Sequence, residues 1–334
     1  MNPRSIRLQK QADPILIRSL PFRFPMMKQV RCSGTLIFIL MALTCSDVAA
    51  QRVQRGVVTE ERIEAGEFLQ YVPNKRSRVT NVLVICHGSI SDGNTALQSA
   101  HTFINRWLRF SESTGVVLVA PAFDVENYAS GEDAPGGSAW GYRALDGRTT
   151  TSDQFVHMIV DRFKTLDRKY DGKFYLYGHS AGAQFANHYL VVHPERLHGV
   201  VLSAPAIYAM PDPDTGWPAG MKPRKRTLQW GDKSKEFEID HKLETWVTAV
   251  QLPVAVVIGE ADTDRLSDQP QQGGWTRFDR AQHYVKEMEK FATENQVESG
   301  VQLFTVPGVG HSSSRLTEIC AKAILIMGQR ANQK

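Results

Sequence analysis

A serine flanked by glycines lies where a predicted strand passes into a predicted helix. The serine is Ser180, in the pentapeptide Gly178–Gly182, which reads GHSAG. The apolar and aromatic run 173–177 before it is typical of a buried strand, and apolar residues at helical spacing follow it. A Gly-x-Ser-x-Gly at such a turn places the serine in an unusual backbone conformation and exposes its hydroxyl. The sequence therefore predicts Ser180 as a nucleophile.

A histidine that could take the serine's proton follows a later strand. A serine hydroxyl is a weak nucleophile unless a positioned base removes its proton. His311 comes directly after the Gly-Val-Gly at 308–310, which follows the predicted strand 301–305, and a helix begins after it. Residues just past the carboxyl ends of parallel strands share one edge of the sheet, so we expect His311 near Ser180. His179 is also adjacent to the serine, but we expect its side chain to point away from the turn.

Three acidic residues compete for the role of orienting the histidine. Glu260, Asp262 and Asp264 all follow the predicted strand 254–258. When the serine lies on such a turn, the acid is expected between the serine and the histidine in the chain. Asp262 has the usual offset from the strand end and is the first choice, with Asp264 as the alternative. At least two of the three must then be ordinary solvated residues.

Two backbone N–H groups are predicted to stabilise the oxyanion that forms during acyl transfer. One belongs to Ala181, the residue after the nucleophile. The second is expected in the loop 87–90, which follows an apolar strand, with Ser89 as the preferred donor. A His-Gly turn alone would be common, but its position at this strand end favours the oxyanion role.

The predicted elements that position these residues alternate along the chain. Continuous apolar strands separated by amphipathic helices indicate a mostly parallel sheet with helices on both faces. A polar and aromatic insertion at about 207–248 would form a lid or a pocket wall. Residues 51–334 contain no repeat and no linker, so one domain is expected. The predicted strands are 82–86, 116–120, 173–177, 200–202, 254–258 and 301–305.

The first 50 residues resemble an export signal rather than part of the fold. Lys28 and Arg31 precede the short apolar run 36–43, and residues 48–50 supply small side chains for a signal peptidase. The run is shorter than the roughly 20 apolar residues that span a bilayer. We expect a cleaved signal peptide without stable membrane insertion, a true start at Met27, and a secreted or periplasmic protein. An organelle transit peptide is the alternative.

Charge, motifs and cysteines indicate neither nucleic acid nor a cofactor. Residues 1–50 hold seven basic and two acidic residues, which leaves 32 basic and 33 acidic residues in the rest of the chain. The excess of basic residues therefore lies in the leader, so the net charge of +4 does not indicate nucleic-acid binding. The usual metal, phosphate and redox motifs do not occur, so no cofactor or metal is expected. Cys86 and Cys320 are expected as buried free thiols, with a disulfide between them left open.

The order of these motifs resembles that of the α/β-hydrolase superfamily, over about residues 57–333. The residues that carry the resemblance are, in family order, His87-Gly88, the strand-to-helix turn at Ser180 (the nucleophile elbow), the Gly259–Asp262 turn and His311. The GHSAG elbow and the helix 153–166 ahead of it are most similar to secreted esterases of the polyhydroxyalkanoate-depolymerase and feruloyl-esterase type. The resemblance implies an α/β-hydrolase fold and a Ser-His-Asp triad.

We therefore expect a serine hydrolase that cleaves carboxylic esters through an acyl-enzyme. Its substrate would be a small-molecule or polymeric ester. A serine peptidase of the same fold is one alternative, and a catalytically inactive binding protein is the other. No motif in the insertion identifies the acyl group or the leaving group.

Overall fold

The computed structural model describes most of the chain from residue 54 onward. The described residues are 54–75, 81–90, 93–129, 141–223, 225–230, 232–239, 242–267 and 269–331. All of them fall within one unit of the chain, 52–334. The predicted leader, with its cleavage site and the start at Met27, lies outside the described residues.

The described strands number ten and the described α-helices eight. The strands are β1 (Val58–Ile63), β2 (Gly66–Tyr71), β3 (Val82–Cys86), β4 (Val117–Pro121), β5 (Phe174–His179), β6 (Leu197–Ser203), β7 (Arg226–Trp230), β8 (Lys233–Phe237), β9 (Val254–Gly259) and β10 (Val301–Val306). The helices are α1 (Ala96–Ile104), α2 (Leu108–Thr114), α3 (Val125–Tyr128), α4 (Ser152–Leu166), α5 (Ala181–Val192), α6 (Leu243–Gln251), α7 (Arg277–Glu294) and α8 (Ser313–Ala331). Among the described helices, none is both long enough and apolar enough to cross a bilayer.

Eight strands form one sheet in the order β1-β2-β4-β3-β5-β6-β9-β10. The six strands from β4 to β10 in this order pair in parallel, while β1 and β2 join antiparallel at one edge. The mostly parallel sheet predicted from the sequence is confirmed. The carboxyl ends of β3, β5, β6, β9 and β10 consequently meet at one edge of the sheet, and the loops that follow them are neighbours.

The central strands are apolar throughout because helices cover both of their faces. Every residue of β3, β4, β5 and β9 is buried. The helix α8 contacts the 3-10 segment Asn105–Trp107 that follows α1, while α5, α6 and α7 contact one another in sequence. The edge strand β1 differs, because none of its residues is fully buried and the three residues 60–62 are charged. The predictions started from apolar runs and therefore missed this strand.

The predicted insertion at 207–248 is part irregular segment and part regular structure. Its first residues are fixed to the helical layer: the Tyr208 ring stacks on Tyr284 of α7, with centroids 4.3 Å apart, and the Ala209 amide donates to Asn187 Oδ1 of α5 at 2.6 Å. The antiparallel β7–β8 hairpin follows. The end of the predicted range falls inside α6, whose fully buried Trp246 packs against α7. The irregular part therefore ends before α6 begins.

Cys86 and Cys320 are both buried and free. Burial raises the pKa of the Cys86 thiol well above its usual value and that of Cys320 to about 12. Both groups are therefore protonated thiols at neutral pH, which makes them inert packing residues.

The helix α5 approaches the sheet closely at Gly182. A Cβ at this position would lie less than 3.0 Å from the carbonyl oxygens of Cys86 and His87. Because backbone atoms cannot move aside as a flexible side chain can, we expect Gly182→Ala to lower the free energy of unfolding by about 1–3 kcal/mol. Urea unfolding followed by circular dichroism measures this change.

A matched control lies in α8. For a Cβ at Gly328, the one atom within contact distance is the Tyr175 hydroxyl, at 3.3 Å. Gly328→Ala should therefore change the free energy of unfolding by less than about 1 kcal/mol, since alanine also has the better helix propensity. Equal destabilisation by the two substitutions would show that the contact of α5 with β3 is not the cause.

Candidate active site

Ser180 occupies a strained turn between β5 and α5. Its backbone has φ 55° and ψ −115°, in a region that residues other than glycine rarely adopt. The turn is held by a hydrogen bond of 2.8 Å from the Ser180 amide to the Ser203 carbonyl at the end of β6. Gly178 is required because a Cβ there would collide with the Gly182 carbonyl. The Ser180 side chain is thereby presented at the carboxyl edge of the sheet.

His311 and Asp262 lie on neighbouring loops and are joined by a hydrogen bond. Asp262 follows β9 and His311 follows β10, and the two loops are tied together by the Ala261 amide, which donates to the Val309 carbonyl at 2.9 Å. His311 Nδ1 lies 2.8 Å from Asp262 Oδ2. An ionised carboxylate only accepts hydrogen bonds, so Nδ1 carries the proton and Nε2 is left as the acceptor. The Asp262 carboxylate is fully buried, whereas the His311 side chain is 27% exposed.

The two other acidic candidates have different surroundings. Asp264 is exposed, and no described contact joins it to His311. Glu260 is exposed and accepts a hydrogen bond of 2.9 Å from the Thr305 hydroxyl on β10. Of the three acids, Asp262 is the one that the described structure brings to the histidine.

Arg277 is a second partner of Asp262 that the sequence analysis missed. Its Nη1 donates to Asp262 Oδ1 at 3.2 Å, so each carboxylate oxygen has its own donor. Arg277 is the first residue of α7, which Thr276 caps. Its backbone position therefore depends on a helix start rather than on a strand end. Nothing in the sequence pattern distinguishes this arginine from others on helices.

The residue before the serine contacts the histidine at this edge of the sheet. The ring of His179, the residue before Ser180, contacts the His311 ring, with centroids 4.8 Å apart. Among the hydrogen bonds of the described residues, none joins the Ser180 hydroxyl to His311. Such bonds are often long before substrate is bound. His179 itself is buried, and its Nδ1 lies 2.9 Å from the Ser203 hydroxyl.

Two free amides lie beside the serine, as an oxyanion site requires. The Ser89 and Ala181 amides donate no hydrogen bond within the described residues. Ala181 begins α5, and the first amides of a helix have no acceptor within it. A Cβ on Gly88 would lie 3.6 Å from the Ser180 Cβ, so the loop after β3 reaches the serine. The loop that contains Ser89 therefore lies against the Ser180 turn.

The loop that contains Ser89 is held from two sides. The Tyr142 hydroxyl donates to the His87 carbonyl at 3.1 Å, and Arg143 Nη2 donates to the Ser89 hydroxyl at 2.9 Å. Tyr142 and Arg143 are both buried, in a 3-10 segment, Gly141–Ala144, that precedes α4. These contacts preorganise the amides of the loop, which is what electrostatic catalysis needs.

His87 is buried as a neutral imidazole. Its Nδ1 donates to the Gly88 carbonyl at 2.7 Å, and its Nε2 accepts from the Phe123 amide at 3.2 Å. Burial is the main cause that lowers the pKa of His87 to about 4, and the charge of Arg143 lowers it further. The ring is therefore a fixed structural part of the loop at neutral pH.

Comparison with known proteins identifies the arrangement of sheet and loops. A family model described as the alpha/beta hydrolase fold matches residues 81–234, which include Ser89, Ser180 and the strands that carry them. The chain has the α/β-hydrolase fold. No curated protein matches the chain in sequence.

Three solved structures are similar over most of the chain. A poly(aspartic acid) hydrolase-1 from Sphingomonas sp. KT-1 has a TM-score of 0.62 and 19% identity, and the match covers 80% of this chain and 98% of that one. The poly(3-hydroxybutyrate) depolymerase LpqC from Bordetella parapertussis has a TM-score of 0.60 and 21% identity, with 76% and 82% covered. An S-formylglutathione hydrolase from Agrobacterium tumefaciens has a TM-score of 0.50 and 15% identity, with 82% and 94% covered. At these identities the likeness shows the fold.

Among its described residues, the candidate site lacks the side chains that a metal centre would need. Within the described ranges, no three or more histidine, cysteine, aspartate or glutamate side chains are grouped so that they could hold a metal ion. The polar groups that converge at the sheet edge are instead a hydroxyl, an imidazole, a carboxylate and two amides. This set is suited to acyl transfer.

The neutral state of His87 predicts how the stability of the protein depends on pH. The unfolded chain binds a proton at His87 near pH 6.5, whereas the folded chain does so only near pH 4. The free energy of unfolding should therefore fall as the pH falls from 6.5 to 4, by up to about 1.4 kcal/mol per pH unit from this residue. His87→Gln keeps an acceptor for the Phe123 amide and should reduce the slope by about this amount. Urea unfolding between pH 7 and pH 4 measures it, and an unchanged slope would count against a buried neutral ring.

Proposed function

We propose that the protein is a serine hydrolase that cleaves carboxylic esters through an acyl-enzyme. The observation that carries this proposal is the hydrogen-bonded Asp262–His311 pair at the same sheet edge as the strained Ser180. Ser180 Oγ attacks the acyl carbon while His311 Nε2 takes its proton. His311 then gives that proton to the leaving group, and Asp262 stabilises the imidazolium that forms in between.

The free amides of Ser89 and Ala181 would bind the oxyanion. Negative charge develops on the carbonyl oxygen as the tetrahedral intermediate forms, and fixed N–H donors stabilise it without reorganising. Water then attacks the acyl-enzyme, with His311 as base, and the acid is released. No step requires a metal or an organic cofactor.

The comparisons support hydrolysis of an acyl compound and do not select an ester, which is our own choice. Similar folds belong to a poly(3-hydroxybutyrate) depolymerase, an S-formylglutathione hydrolase and a poly(aspartic acid) hydrolase. The irregular insertion follows β6, whose end lies beside the Ser180 turn, and is fixed to α5 and α7. We assign it the role of a pocket wall that selects the substrate. The leader at 1–50 supports export of the enzyme to a secreted or periplasmic location.

A serine-directed probe tests this function. A fluorophosphonate should label the wild-type protein and should not label Ser180→Ala. Asp262→Asn should slow labelling on the order of 10⁴-fold, because an amide no longer favours the productive tautomer of His311. Asp264→Asn is the matched control: it removes an exposed carboxylate two residues away and should react at the wild-type rate.

Several outcomes would contradict the proposal. Labelling of Ser180→Ala at the wild-type rate would exclude Ser180 as the nucleophile, and slow labelling of Asp264→Asn with normal Asp262→Asn would exchange the two acids. A folded wild-type protein that never reacts would favour an inactive binding protein. Parallel assays on p-nitrophenyl esters and aminoacyl amides separate an esterase from a peptidase.

A further inference from the structure

His179 is a buried residue that neither the triad nor the oxyanion site uses. It ends β5, directly before Ser180, and is 5% exposed. Its ring lies against that of His311, with centroids 4.8 Å apart and the planes tilted by 31°. The structure describes two contacts of His311: the hydrogen bond to Asp262 and this ring contact.

The orientation of the His179 ring is itself fixed by its neighbours. Its Nδ1 lies 2.9 Å from the hydroxyl of Ser203, the residue opposite it in the β5–β6 register. On the other side it packs against Phe103 of α1, with ring centroids 6.2 Å apart. The Ser203 carbonyl also accepts the Ser180 amide. One residue of β6 thus holds both the nucleophile's backbone and the ring beneath the base.

The surroundings of His179 keep it uncharged. Burial is the main cause that lowers the pKa of His179 to about 3, and the charges of His311, Arg106 and Arg277 lower it further. These are the charged or titratable groups that face the ring, from the loop after β10, from the segment between α1 and α2, and from the start of α7. A ring that stays neutral at working pH cannot compete with His311 for the serine proton.

A single hydrogen bond does not determine the plane of an imidazole. The His311 ring turns about its two side-chain torsions, and a hydrogen bond at Nδ1 tolerates a range of ring tilts. The direction in which Nε2 points depends on that rotation. A flat neighbour against one face of the ring removes this freedom, and His179 is such a neighbour.

We propose that His179 is a positioning residue for the base: its ring holds the plane of His311 so that Nε2 points toward Ser180. This inference rests on the proposed function, since it concerns the same proton transfer. Misplacing a catalytic group by about 1 Å can lower the rate by about 10²-fold. The effect should fall on kcat, because His179 is buried beneath the base rather than exposed to substrate.

The test compares His179→Ala with His179→Phe on p-nitrophenyl acetate. The alanine leaves a gap beneath His311 and should lower kcat by about 10²-fold, with KM within about twofold of the wild-type value. The phenylalanine keeps a flat ring and should restore kcat to within about tenfold of wild type. His101→Ala is the matched control, because His101 lies on α1 and pairs with Glu60 at 2.8 Å on the surface. It should leave kcat and KM unchanged.

The outcomes separate this inference from the function on which it rests. A wild-type protein that neither hydrolyses the ester nor reacts with a fluorophosphonate would contradict the proposed function. An active wild type with an equally active His179→Ala, or equal losses in the alanine and phenylalanine variants, would overturn the positioning role alone. If His179→Ala does not fold, Ser203→Ala replaces it: it frees the His179 ring from its hydrogen bond and should lower kcat several-fold at unchanged KM. An unchanged kcat in that variant would also overturn the inference.

Discussion

The parallel pairing of β3, β5, β6, β9 and β10 is the constraint on which the site depends. Parallel strands place all their carboxyl ends on one edge, with neighbours about 4.8 Å apart. The loop that contains Ser89, the Ser180 turn, the Asp262 loop and the His311 loop therefore all lie at this edge. Because β10 is three places from β5 in the sheet, the His311 loop must also reach back toward the Ser180 turn.

Strain and burial at this edge are concentrated where chemistry is proposed. A positive φ at a serine costs on the order of 1–3 kcal/mol and persists only when the surroundings enforce it. Here Ser203, Gly178 and Gly182 enforce it. Around the turn, His87 and His179 are buried and neutral, while Asp262 carries charge against Arg277. The field at the site therefore comes from a few fixed groups rather than from mobile surface charges.

The sheet could be predicted because its central strands are continuous apolar runs. Six of its strands were located in this way, with ends within about three residues of the observed ones. Apolar runs did not predict the β1–β2 hairpin, because β1 is an edge strand with several charged residues. The sequence did not predict α6, because much of this helix falls within the predicted insertion.

Some residues of the site could likewise be predicted from the sequence pattern, whereas others are placed by packing. Residues at strand ends, such as Asp262 and His311, could be singled out because chain position and strand ends predict their location. Arg277 and His179 could not be assigned, because their roles depend on where a helix starts and which way a ring turns. Neighbours distant in sequence determine where a side chain points within a packed layer, so the local spacing of residues does not predict it.

The most direct test is a crystal structure of the enzyme after reaction with a phosphonate ester. The account predicts phosphorus bonded to Ser180 Oγ and a phosphoryl oxygen about 2.7–3.1 Å from the Ser89 and Ala181 amides. His311 Nε2 should lie within about 2.6–3.2 Å of an oxygen on phosphorus or of Ser180 Oγ. Phosphorus on another residue, or a phosphoryl oxygen directed away from both amides, would contradict it.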